Sequence, residues 1–165
     1  MIDLAINFDS EPGEFDLVLS GSDLMGDDGL YTAVIISLFT DTRAAEDDPL
    51  PEERPGQVSD LRGWWGDFLP DETAPVSIGS RLWLLTREKD LDEVVARAQE
   101  YAQEALKWLL DEGHVTRLEV RAARVAPGWL DINVSALEAV GTGERTREWN
   151  FFYDYQNATH GRVWS

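Results

Sequence analysis

The stretch from Asp90 to Tyr155 constrains the fold more than any other. Leu91, Val94, Val95, Ala98, Tyr101, Ala102, Ala105, Leu106 and Leu109 recur at three- and four-residue intervals, which puts them on one stripe of an α-helix. Asp92, Arg97, Glu100, Gln103, Glu104 and Lys107 fall on the opposite face. Asp90 with Glu93 makes a capping-box-like start. Gly113 stands where a left-handed residue would close the helix after Glu112. Trp108 lies off the centre of the stripe and is expected to meet another element. Beyond the helix the period changes from 3.6 to 2. From Val115 to Val125, Leu118, Val120 and Ala122 alternate with Arg117, Glu119 and Arg121; Ala123 and Val125 then switch face, which suggests a bulge. Pro127-Gly128 turns the chain. From Trp129 to Leu137, Leu130, Ile132, Val134 and Ala136 oppose Asp131, Asn133 and Ser135. After Gly141-Thr142-Gly143, Glu148 to Tyr155 sets Trp149, Phe151, Tyr153 and Tyr155 on one face. A long amphipathic helix followed by a three-stranded meander, packed as a mainly antiparallel sheet, is an α+β arrangement.

The front of the chain is less regular. Ile2, Leu4 and Ile6, then Phe15, Leu17 and Leu19, alternate with polar residues, which predicts two short strands that Glu11-Pro12-Gly13 could join as a hairpin. Asp23 to Gly29 reads as an Asp/Gly turn. Residues 29–40 are apolar almost all round, as in a buried helix, although Val34-Ile35-Ile36 would also suit a strand. Ala44 to Ser59 and Pro70 to Pro75 read as loops. Between them lies Leu61-Arg62-Gly63-Trp64-Trp65-Gly66-Asp67, echoed by Gly79-Ser80-Arg81-Leu82-Trp83-Leu84-Leu85. Three of the seven tryptophans fall here, as a rigid knot between the two halves. Ser80 to Thr86 suits either a short strand or a helical turn. The expected organisation is one domain, 1–165: an acidic front half (1–60), the knot (61–89), helix plus meander (90–155), and an extended C-terminal arm (156–165).

Composition removes several chemistries. The absence of cysteine excludes disulfides, thiolate catalysis and cysteine-held metals, and fits a reducing compartment. No run approaches a membrane span, and residues 1–7 lack the basic start of a signal peptide. The formal charge is −18, and residues 1–60 carry 15 acids against two arginines, a net of −13. Such a chain repels nucleic acid and anionic membranes and favours a basic protein partner. Asp23 to Gly29 departs from a calcium loop: Met25 takes a ligand place and Asp28 the glycine place. Asp67 and Glu88 are the nearest approach to a hydrolase carboxylate pair, with salt-bridged structural roles the plainer reading. His114 reads as a helix-end residue, and no nucleophile elbow, phosphate loop or dinucleotide fingerprint is present. No catalytic, cofactor or metal site is expected. Tryptophan, tyrosine and arginine are enriched in interface anchors. The protein-interface candidates are therefore Arg62, Trp65, Arg81, Trp149, Phe151, Tyr153, Tyr155 and Trp164.

Gly29 to Asp41, Arg62-Gly63-Trp64-Trp65-Gly66-Asp67, Gly79 to Leu85 and Glu104-Ala105-Leu106-Lys107-Trp108-Leu109 occur in order. Together they resemble the Mu-type baseplate wedge proteins of contractile-tailed phages and prophages. The resemblance spans residues 1–155 and implies a structural virion protein of the tail baseplate, assembled in the bacterial cytoplasm. It implies contact with other wedge and hub proteins and with the first sheath ring, in several copies around a ring. In the wider group, the C-terminal helix-and-sheet part starts the sheath by strand exchange; here that part is Val115 to Tyr155 and its arm. Some members are labelled tail lysozymes, but no catalytic pair here supports that label. The alternatives are a peptidoglycan-degrading tail enzyme and an acidic mimic of nucleic acid.

Overall fold

A computed structural model describes residues 30–51, 61–63, 78–86 and 92–157 in full, together with the backbone of strand segments between residues 3 and 27 and of residues 159–164. The front part contributes six short strands: β1 (Asp3–Leu4), β2 (Ile6–Asp9), β3 (Glu14–Leu17), β4 (Leu19–Ser20), β5 (Asp23–Leu24) and β6 (Gly26–Asp27). They pair as three antiparallel ladders, β1 with β6, β2 with β3 and β4 with β5. Strands β2 and β3 run antiparallel, as the two alternating stretches predict, with Ile6 opposite Leu17 and Asp9 opposite Glu14; the turn at 11–13 lies outside the described residues. Asp23 to Asp27 corrects the expectation of a turn, since β5 and β6 pair back on β4 and β1. Strand β4 immediately precedes β5, but β1 lies well upstream of β6, and local Asp/Gly composition cannot reveal such a partner.

Residues 30–39 form helix α1 (Leu30–Phe39) and not a strand. Leu30, Val34, Ile35 and Leu38 are buried, while Ile36 remains 42% exposed. Immediately after α1, the backbone meets the second glycine–tryptophan segment. Asp41 and Ser80 form a parallel bridge; Ser80 N–H donates to Thr40 C=O at 2.8 Å and Thr42 N–H to Ser80 C=O at 3.1 Å. Gly79 permits this approach. Its φ is +111°, and a Cβ there would stand 2.3 Å from the Thr40 carbonyl oxygen, closer than any side chain tolerates. Leu82–Leu85 follows as one 3₁₀ turn with all four side chains buried, which decides between the two conformations open for Ser80 to Thr86.

The long helix is interrupted. Helix α2 (Asp92–Leu106) is followed by α3 (Trp108–Asp111), where one helix from Asp90 to Glu112 was expected. At Lys107 the N–H bonds to Glu104 C=O at 3.2 Å, three residues back, the tighter spacing of a 3₁₀ turn. Past this step the Trp108 indole N–H reaches Ser37 Oγ at 3.0 Å, so Trp108 meets α1. Asp90 lies outside the described residues. Gly113 has φ +76°, the left-handed conformation expected after a helix end.

The back of the chain is a four-stranded antiparallel sheet in the order β10-β9-β8-β7. Its strands are β7 (Arg117–Ala126), β8 (Trp129–Val140), β9 (Gly143–Asp154) and β10 (Thr159–Trp164). Leu130, Ile132, Val134 and Ala136 are wholly buried on the face that receives the helices; burying each larger side chain contributes roughly 1.5–3 kcal/mol. The register shift between Arg124 and Ala126 is the bulge read at Val125. Gly141-Thr142 closes a two-residue hairpin between Val140 and Gly143, with Gly141 at φ +61°.

The fourth strand corrects the expected arm. Thr159 to Trp164 pairs with β9, Thr159 opposite Asp154 and Trp164 opposite Asn150, so the chain covers its own β9 edge. The cause is the turn before it. The Asp154 carboxylate accepts from Gln156 N–H at 3.0 Å, Asn157 N–H at 3.3 Å and Asn157 Nδ2 at 2.7 Å, folding the chain back on itself as an aspartate turn does.

Candidate protein interface

Two arginines organise the junction between front and back. The Arg62 guanidinium lies 4.8 Å over the Trp83 ring and is ion-paired with Asp41, while the Trp83 indole N–H donates to Thr42 C=O at 2.9 Å. Arg62 itself sits at φ +42°, so its backbone takes a conformation uncommon for a non-glycine residue. Arg81 is more enclosed. It bonds to Asp48 Oδ1 at 2.9 Å and to Glu104, and stacks 4.7 Å over Tyr101. Burial pulls its pKa down, but the bonds to Glu104 and Asp48 outweigh this, and the net shift is upward. A half-open cleft of about 240 Å³ lies here, lined by Thr42, Ser80, Arg81, Tyr101, Glu104 and Trp108 among others.

The structure separates the remaining interface candidates. Phe151, Tyr153 and Tyr155 are buried to 2% exposure or less. Phe151 packs against Phe39 at 5.5 Å and Tyr31 at 6.4 Å, and Phe39 also meets Tyr153. These rings hold α1 to the sheet, so the expectation that they face a neighbour is corrected: an alternating aromatic strand beside an apolar helix becomes core. Tyr153 titrates far above its ordinary value because it is buried and lies near Asp41, a rise that Arg62 offsets in part. Trp149 is half-buried against the same core. Trp65 lies outside the described residues, as does the side chain of Trp164, whose backbone stands at the end of β10.

Sequence reasoning missed the other face of the sheet. There β8 presents Asp131, Asn133 and Ser135, flanked by Ala123, Arg121 and Glu119 of β7 and by Phe152, Asn150 and Glu148 of β9. Asn133 Nδ2 donates to Asn150 Oδ1 at 2.8 Å, and Arg121 pairs with Glu119 at 3.2 Å. Asp131 Oδ1, in contrast, is closed to solvent and has no hydrogen-bond partner. Desolvation raises the Asp131 pKa. Alternation alone places Asp131 outward, where solvation is the default, so no sequence signal marks it.

No group of three potential metal ligands occurs among the described residues. Asp67 and Glu88 lie outside them. His114 contacts Glu112 at 3.2 Å and the Trp108 ring at 5.4 Å, as a helix-end residue would.

A family model described as Phage protein GP46 matches residues 30–143. The chain belongs to the phage protein GP46 family. The match runs from the first residue of α1 to the first residue of β9 and so includes the junction and strands β7 and β8. A protein of Escherichia phage Mu, named baseplate protein gp46, is 45% identical over 135 residues, covering 82% of this chain and 86% of that protein. The Mu-like prophage FluMu protein gp46 of Haemophilus influenzae is 42% identical over 123 residues, 74% of this chain and 77% of that protein. The Mu-type resemblance read from Gly29 to Asp41 and Gly79 to Leu85 is therefore one of family.

Proposed function

We propose that this GP46-family chain is a structural component of a contractile phage tail baseplate, working by fit and not by bond chemistry. Its family, and a relative named as a baseplate protein, carry the reading. In this role the front half and the Arg62/Arg81 junction dock on wedge and hub proteins. The C-terminal sheet is the part offered to the first sheath ring. Strand β10 suits exchange: it is the outermost strand on its side, and its register with β9 breaks between Gly161 and Val163. The opposite edge is less available, because the Gln99 side chain already accepts from the Ala122 N–H of β7 at 3.3 Å. Backbone pairing of a neighbour's strand would then supply affinity, against the usual blocking of exposed edges.

The test is removal of residues 158–165 in a phage that otherwise lacks this protein. Particles are expected to contain the shortened chain in the baseplate but to carry no sheath. Normal sheath on those particles would contradict the strand-exchange role, and absence of the full-length chain from purified tails would contradict the baseplate role.

A further inference from the structure

We infer that the outer face of the four-stranded sheet is a docking surface for a neighbouring protein that delivers a lysine or arginine side chain to Asp131. The inference rests on the baseplate reading only for where that neighbour is found.

The described neighbours of Asp131 leave its Oδ1 unbonded. Across the ladder stand Ala123 on β7 and Phe152 on β9, and neither side chain has a donor. Opposite Phe152 on β10 is Gly161, which has no side chain to offer. Asn133 and Asn150 bond to each other. Arg121 is engaged by Glu119, and Arg124 reaches Asp92 at 3.5 Å. Asp154, two residues along β9 from the Phe152 that pairs with Asp131, adds a second carboxylate, which its own turn consumes. Among the described residues, one end of this face thus gathers two carboxylates and no cation bonded to Asp131 Oδ1.

Leaving a carboxylate oxygen closed to water and unbonded is unfavourable, and such groups in native structures call for a cause. A cation from outside supplies it, because an ion pair in a partly desolvated site gains far more than one in water. The Asp131 side chain as a whole is half-buried, so it can be reached, and its terminal torsion is broad and two-fold, so either oxygen can turn to the visitor. A depression of about 150 Å³, lined by Arg117, Glu119, Ser135, Leu137 and Thr146, continues along the same face and gives the partner relief to fit. The net charge of −18 selects a basic partner and speeds its approach.

The experiment supplies wild-type, Asp131→Asn and Ser135→Arg chains to a phage lacking the protein, and measures the chain in purified tails and the Tm of each purified chain. Asp131→Asn is expected to raise Tm, on the order of 2–4 °C, while its incorporation falls about tenfold or more, the cost of losing one charged partner. Ser135→Arg, which fills the face without touching Asp131, should fold and also lose incorporation. Wild-type incorporation of folded Asp131→Asn would overturn the inference, as would a lowered Tm, which would make the carboxylate a structural element of the chain. Absence of the wild-type chain from tails would overturn the baseplate reading and this inference with it.

Discussion

Asp131 and Gly79 show how single residues carry opposite burdens. Burial holds the Asp131 carboxyl above its ordinary pKa, so the folded chain binds that proton more tightly than the unfolded chain does. Its stabilising contribution is complete below about pH 3.9, the unperturbed aspartate value, and is lost as pH rises through the raised folded value. Asp131→Asn should therefore exceed wild type in Tm at pH 7, with the difference shrinking toward pH 4; thermal melts across that range check the sign. Gly79 has no such latitude. Gly79→Ala must move the Thr40 carbonyl or abandon φ +111°, and should cost at least about 2 kcal/mol in urea denaturation.

Elements were legible where their period was strong. The alternation of Leu130, Ile132, Val134 and Ala136 predicts β8, and all four are wholly buried. Ile132→Ala should cost about 2–5 kcal/mol, measured by the shift in urea midpoint at constant slope. The break at Lys107 was not legible. It accompanies a bond between Trp108 and Ser37, 71 residues apart, and a helical period carries no information about such a partner. Trp108→Phe removes that bond and should cost about 0.5–1.5 kcal/mol in the same assay. Strand β10 was hidden for a related reason: Asp154 to Asn157 contains the residues of an aspartate turn, but only the fold-back shows that β9 has a free edge for the tail to take. The aromatic row of β9 was placed correctly on one face, yet its use differs, because α1 fills the space where a neighbour was expected.

At the scale of the whole molecule, the helices cover one sheet face and leave the other polar, with Asp131 Oδ1 unbonded. The candidate interface therefore lies on a surface that sequence pattern marks only as solvated, while the residues that looked like anchors close the core. The charge of −18 implies that association with a basic partner slows as salt rises past about 0.15 M, where the Debye length is roughly 8 Å. Incorporation into tails assembled in vitro should fall with ionic strength, and salt-independent incorporation would argue for an apolar contact. The most direct measurement is the density of this chain inside a purified tail particle. The account predicts the chain in the baseplate, with a neighbour's basic side chain on Asp131 and another chain's strand paired at the β10 side. A tail without this chain, or a baseplate in which that sheet faces only solvent, would contradict it.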